Sequence, residues 1–199
     1  QTLRPFEIIV SDDCSTDNTP EILQRLLAEI PVLRLFRQPQ NAGISANVDG
    51  ALRRASGESV VRLDSDDYLS PLYIEKLVYL LITNPEAAYA HAAVQEVDQH
   101  GAFLKKRILA RQAGFQNSAD ALKATVKGFR VAANIITFKK AALEQVNYIV
   151  LGSNFAEDYY LAASLAAAGF GNVYLNEILS YYRVWDDAKK LSHKRKLAE

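Results

Sequence analysis

Ser59-Val60-Val61-Arg62-Leu63-Asp64-Ser65-Asp66-Asp67 is the stretch on which the reading of this chain turns. Its first half is an apolar, strand-like run. Its second half packs three carboxylates around one serine, just ahead of a helix start at Ser70-Pro71. Three acids at the exit of a buried strand repel one another and resist desolvation. A bound divalent cation is the simplest way to make that arrangement favourable. Magnesium-type ions take one or two carboxylates and complete their shell with water and substrate phosphates. The run therefore points to a metal-diphosphate site.

Working outward, the first half of the chain alternates strand and helix. Phe6 to Val10 reads as a strand ending in Ser11-Asp12-Asp13. Thr19 is the expected helix cap, with Pro20 at the first helical position and a stripe of Ile22, Leu23, Leu26, Leu27 and Ile30 behind it. Val32 to Phe36 is the second strand, Ile44 to Ala55 a helix ending at Gly57, Val60 to Leu63 the third strand and Leu72 to Ile82 a helix. This alternation predicts an α/β fold whose parallel sheet is covered on both faces. Ligands of such sheets bind beyond the carboxyl ends of the strands, where Asp12-Asp13 and Asp64 to Asp67 both fall.

The second half is less regular. Ala87 to Val97 and Phe103 to Leu109 read as a hairpin turned at Asp98 to Gly101. Ala132 to Phe138 is a further strand, followed by a short helix from Lys139 to Val146. Phe155 to Ala168 is a helix stopped by Gly169, and Val173 to Leu175 and Leu179 to Arg183 are two extended pieces. No repeat, low-complexity segment or linker interrupts the chain, and no motif is legible from Val97 to Phe129.

Composition narrows the classes. With 199 residues, 49% of them hydrophobic, the chain has the material for one folded domain with a substantial core. Zero formal net charge gives no global attraction to nucleic acid. Cys14 is the single cysteine, so no internal disulfide forms, and no apolar stretch reaches membrane-spanning length. No signal peptide opens the sequence. With Gln1 first and no Met anywhere, residues are expected to precede Gln1 in the natural product.

Several residues carry candidate chemistry beside an ordinary alternative. Asp12-Asp13 suits helix capping and turn formation, or one carboxylate accepts a hydrogen bond from a ligand N–H such as a nucleobase imide. Asp64 and Asp66, two apart, suit a metal and a ribose hydroxyl, whereas Asp67 also suits a solvated turn. Asn41-Ala42-Gly43 is an ordinary turn or a place of close backbone approach to a ligand. Glu157-Asp158 lies in the first turn of an otherwise apolar helix, where acids favour the dipole. Adjacent helical residues point about 100° apart, so one of the two can face a cleft and act as general base. His91, His100 and His193 lack zinc-site spacing, and Trp185 with Tyr181-Tyr182 suits core or cleft wall.

Taken in order, these runs resemble glycosyltransferase family 2, inverting enzymes with the GT-A nucleotide-diphospho-sugar transferase fold. "PFEIIVSDDCSTDNT" is similar to the family's first acidic loop. "RQPQNAGISANVDGALRRASGESVVRLDSDDYLSPLYIEKLV" is similar to its NxG turn and DxD strand. "NFAEDYYLAASLAAAGF" is similar to its EDxxL helix, and "LSYYRVW" to its closing strand. The resemblance implies a Rossmann-like, mixed and mostly parallel sheet within a single domain. Residues 1–97 would form the nucleotide-sugar half, 98–185 the acceptor half and 186–199 a polar tail. It implies that Asp13 contacts the base with Asp12 bracing the loop, in a substrate site shared with Asn41, Gly43, Asp64 and Asp67. Asp64 would bind ribose or sugar, and Asp66 would hold Mn2+ or Mg2+ on the diphosphate. Asp158 would be the general base, and Glu157 would help to position the acceptor. The implied donor is a nucleotide-diphospho-sugar, UDP-linked, and the implied acceptor a saccharide or lipid-linked hydroxyl, in polysaccharide or glycoconjugate synthesis.

The departures are specific. The family's opening strand, which sits mid-sheet, has no counterpart ahead of Gln1-Thr2. Cys14 replaces the usual loop glycine, Ser164 a common arginine, and Trp185 a common histidine near the diphosphate. The processive QxxRW pattern is missing, which implies a non-processive enzyme. The expected location is cytoplasmic. The Lys189 to Lys196 tail reads as solvated charge in preference to a contact with the inner membrane face. Two alternatives compete: a phosphoacceptor receiver domain, which shares the acid pair and a later aspartate around magnesium, and an inactive sugar-nucleotide-binding module.

Overall fold

The first strand, β1 (Ile8–Asp12), pairs in parallel with β2 (Leu33–Arg37), Ile8 lying opposite Leu33 and Asp12 opposite Arg37. Parallel neighbours need a crossover, which α1 (Thr19–Glu29) supplies. Its cap falls on Asn18, one residue before the expected Thr19, because Asp17 accepts the Thr19 N–H at 2.9 Å and draws that residue into the first turn. α2 (Ile44–Arg54) packs back on β1. There Ser11 Oγ donates to Asn47 Oδ1 at 2.6 Å, and Asn47 Nδ2 donates to the Ser11 carbonyl at 2.9 Å. The chain is seen here as a computed structural model that describes residues 1–127, 135–149 and 157–185.

One expectation is corrected at β3 (Ser59–Arg62). It does not extend the β1–β2 pair into one parallel sheet, but pairs antiparallel with β8 (Ile136–Lys139). Among the described residues no strand lies between β1 and β3, so backbone bonding cannot pass from one to the other. A shared core joins them instead. Ile9 of β1 and Val48 of α2 pack on a cluster that includes Leu52, Val60, Phe138, Leu143, Leu161 and Leu165.

The larger sheet has seven strands in the order β3-β8-β5 (Ala87–Val97)-β9 (Gly171–Arg183)-β4 (Tyr68–Leu69), with β6 (Phe103–Arg107) on β5 and β7 (Gly114–Gln116) on β9. Its axis is the parallel pair β5 (Ala87–Val97) and β9 (Gly171–Arg183). β9 is one continuous strand with register shifts, where the sequence suggested two pieces. The hairpin of β5 with β6 (Phe103–Arg107) forms as expected, Asp98 accepting N–H groups across its turn. All eleven residues of β5 are buried, so His91 belongs to a strand covered on both faces and not to an alternating one. Its alanines let α3 (Tyr73–Thr83) approach: Tyr73, Leu77 and Leu81 pack on Ala87, Ala90 and Ala92. β4 (Tyr68–Leu69) is a short strand that the sequence did not mark, and β7 (Gly114–Gln116) and α4 (Ser118–Val126) give regular structure to the stretch that read as irregular. α5 (Lys140–Gln145) and α6 (Glu157–Ala167) complete the described helices. The expected start of the last helix at Phe155, the opening of the strand expected from Ala132, and the tail with His193 lie outside the described residues. Among the described residues no helix is long and apolar enough to cross a membrane.

Candidate active site

At the carboxyl end of β1 the two aspartates divide their work. Asp12 is buried, and its Oδ1 accepts the Ser15 N–H at 3.0 Å and the Ser15 hydroxyl. Arg37 Nε stands 3.2 Å from Oδ2 as an ion pair without hydrogen-bond alignment. Asp12 thereby closes the loop on itself. Asp13 reaches across to the Asn41-Ala42-Gly43 turn, its carboxylate accepting N–H groups from Ala42 at 2.7 Å and Gly43 at 3.0 Å. Asn41 Nδ2 donates to the Asp13 carbonyl at 3.4 Å. Gly43 has φ 84°, a region that suits glycine. The structure thus brings together Asp12, Asp13, Asn41 and Gly43. A carboxylate has about four lone-pair directions, so Asp13 keeps acceptor capacity for a further N–H.

At the carboxyl end of β3, the Asp64-to-Asp67 turn closes through Asp67 N–H on the Asp64 carbonyl at 3.1 Å. The end of β9 is bonded to it. Arg183 N–H donates to Asp67 Oδ1 at 2.8 Å, Arg183 Nε to the Asp66 carbonyl at 3.0 Å, and one Nη to the Asp98 and Gln99 carbonyls. The ends of β3, β5 and β9 therefore meet at one guanidinium. Trp185 Nε1 donates to Asp66 Oδ2 at 2.8 Å. Asp67 is not in a solvated turn, because it is only 8% exposed and its Oδ2 is buried without a partner. Burial foremost, together with repulsion from Asp66 and Asp64, pushes its pKa up to about 6 against the Arg183 N–H bond.

The third component is the start of α6. Glu157 is buried, and its Oε1 accepts from Arg62 Nη2 at 3.0 Å. Arg62, itself buried as the last residue of β3, also points Nε at Asp64 Oδ1 from 3.4 Å. The helix bearing Asp158 is therefore fastened beside the acidic turn by a single guanidinium. Asp158 accepts the Tyr159 N–H at 2.9 Å. Burial raises its pKa and Glu157 adds to the rise, while the Tyr159 N–H and Arg62 oppose it. A carboxylate raised in this way is a stronger proton acceptor once ionised.

Among the described residues no three His, Cys, Asp or Glu side chains gather into an all-protein cation cage. The donor set nevertheless fits a magnesium-type ion, which needs only one or two carboxylates beside phosphate oxygens. Asp64 has a side chain 36% exposed, and Asp66 retains Oδ1 because only Oδ2 carries the indole N–H. Sequence reasoning missed Arg62 and Arg183. Their signal was a cation two residues before the acidic run and another beside the closing aromatics, but the contacts span 95 and 117 residues.

The profile of the family described as "Glycosyl transferase family 2" matches residues 1–145. The chain belongs to glycosyltransferase family 2. Among sequence relatives, the Bacillus subtilis glycosyltransferase TuaG, named for teichuronic acid biosynthesis, is 29% identical over 194 residues, covering 93% of this chain and 73% of TuaG. A chondroitin synthase of Pasteurella multocida is 31% identical over 104 residues, 52% of this chain and 11% of that protein. An uncharacterized Mycobacterium tuberculosis protein is 36% identical over 100 residues, 49% of this chain and 29% of its own. The crystal structure of S. aureus TarS residues 1–349 with UDP-GlcNAc superposes with TM-score 0.70 at 19% identity, over 89% of this chain and 49% of that one. The chain thus spans under a third of the first curated relatives it matches and about half of the TarS chain. The GT-A fold expected of a family 2 member is the fold observed, and membership sets the receiver-domain alternative aside.

Proposed function

We propose that this family 2 chain carries the catalytic site of an inverting, metal-dependent and non-processive glycosyltransferase. It moves a sugar from a UDP-linked donor to an acceptor hydroxyl in polysaccharide or glycoconjugate synthesis. The observation that carries the reading is the seating of the Glu157-Asp158 helix start against the Asp64-to-Asp67 turn through Arg62. That arrangement supports a reading in which Asp158 takes up a proton close to the carboxylates that would serve the diphosphate. The UDP and UDP-GlcNAc complexes of TarS support a uridine nucleotide as donor, and the names of TuaG and the chondroitin synthase support a polysaccharide product.

In this reading Asp13 accepts from the base imide, with Asp12, Asn41 and Gly43 holding its loop, and Asp64 binds the ribose or sugar. A divalent cation, Mn2+ or Mg2+, held by Asp66 would offset the charge that grows on the diphosphate. Asp158 takes the proton of the acceptor hydroxyl, whose oxygen forms a bond to the anomeric carbon. The bond from that carbon to the diphosphate oxygen breaks with its electron pair, and configuration inverts. Asp67 anchors the end of β9 to the acidic turn. Glu157, bonded to Arg62, holds the helix start.

Asp158→Asn keeps the shape and removes the proton acceptor. With UDP-GlcNAc and a panel of other UDP-sugars, transfer should fall by about 10²- to 10⁴-fold, the usual weight of a general base. Calorimetric binding of UDP with Mn2+ should survive. Transfer near the parent rate would overturn the assignment of Asp158.

A further inference from the structure

We infer that Arg62 is a positioning residue that sets how the base-bearing helix faces the donor-binding turn, acting through Glu157. The inference deepens the proposed function and rests on Asp158 being its base. Arg62 ends β3, and its side chain is 7% exposed, against 10% for the Glu157 side chain. Two different nitrogens of one planar group are used, Nη2 toward Glu157 at 3.0 Å and Nε toward Asp64 at 3.4 Å. A planar fork fixes both distance and angle, which an ammonium on a flexible stem does not.

Glu157 and Asp158 are neighbours on the first turn of α6, pointing about 100° apart. Pinning Glu157 to the end of β3 therefore dictates the direction in which Asp158 projects. Glu157 cannot swing to an acceptor without leaving a buried guanidinium short of its partner, which is costly. Its carboxylate accordingly serves the scaffold and not the sugar. The same cation lies near enough to favour the ionised form of Asp158. A misplacement of roughly 1 Å at a reacting group costs on the order of 10²-fold in rate, so a device of this kind has measurable weight.

The test has one arm that needs no turnover and one that does. In the first, Arg62→Gln, Glu157→Gln and the double variant are compared by hydrogen exchange of residues 161–164 of α6, whose N–H groups bond to the carbonyls of its first turn. Each single change should speed exchange there about tenfold or more, and the double change should add nothing further, as coupled partners require. Additive effects, or unchanged exchange, would overturn the clamp. In the second arm, with UDP-GlcNAc and Mn2+, Arg62→Gln should lower kcat by about 10- to 100-fold while the Kd of UDP shifts less than about twofold. The acid limb of the kcat profile should move to higher pH, because a nearby cation has been lost. Arg62→Lys should restore that limb but not kcat. A loss of UDP affinity at retained kcat would make Arg62 a donor ligand and overturn the inference. Glu157→Gln, close to isosteric, covers the event that Arg62→Gln does not fold. If the parent turns over no UDP-sugar, the transferase reading fails, and the exchange arm still decides the clamp.

Discussion

Cys14 has φ 63°, in the left-handed region where a side chain costs about 1–2 kcal/mol. It stands in the loop between Asp13 and Ser15, at the position where the family resemblance expects glycine, and the backbone explains that preference. Cys14→Gly removes the clash but adds freedom to the unfolded chain. A net gain of about 0.5–1 kcal/mol is expected, and a thermal melt should rise by about 1–4 °C. His91 carries a pH signature of a different kind. It is 1% exposed between Tyr89 and Tyr174, and its Nδ1 has no partner. Burial, helped by the nearby Arg111 cation, drives its pKa down to about 3. The unfolded chain takes a proton near pH 6.5 and the folded chain refuses it, so stability is full above 6.5 and falls as the pH falls. Between pH 6.5 and 5 the parent should lose about 1.5 kcal/mol more than His91→Gln in urea titrations. Equal slopes for the two proteins would contradict the neutral buried imidazole.

At the scale of elements, α2 does more than cross between strands. Asp49 Oδ1 accepts the buried Ile149 N–H at 3.1 Å, and its Oδ2 accepts from Arg53 Nε at 2.7 Å. Arg53 donates in turn to the Asn147 carbonyl at 2.9 Å and stacks 4.6 Å from the Tyr148 ring centre. Asn147 and Tyr148 have φ 57° and 62°, two consecutive left-handed residues that α2 holds in place. Asp49→Ala strands the Ile149 N–H and should cost about 2–3 kcal/mol in a denaturant melt, whereas a cost below about 0.5 kcal/mol would mean that the turn holds itself. The sequence marked α2 as a helix ending at Gly57, yet nothing in it singled out Asp49 from the surface acids of the chain. Its partner is 100 residues away, and only the folded chain brings them together.

Across the whole molecule the two sheets differ in cover. β5 is buried at all eleven positions, while four of the five residues of β1 are half-buried. Hydrogen exchange should therefore be slowest in β5 and β9 and clearly faster in β1 and β2, which among the described residues pair only with each other. Equal protection in both sheets would show that the shared core couples them more tightly than their cover implies. This division was not legible in the chain. The sequence predicts that Val60 to Leu63 is a strand, but the identity of its neighbour depends on a residue about 80 positions away. Local pattern was enough for the helices α1 to α3 and for the β5–β6 hairpin, and it put the candidate acids at strand ends and at a helix start, because dipole, turn and burial preferences act over a few residues. Tertiary structure alone decided that β3 joins β8, that Asp67 goes under the turn, and that Arg62, Arg183 and Trp185 fasten the acids. Those contacts are electrostatic and directional, made between groups whose sequence separation leaves no trace in local composition.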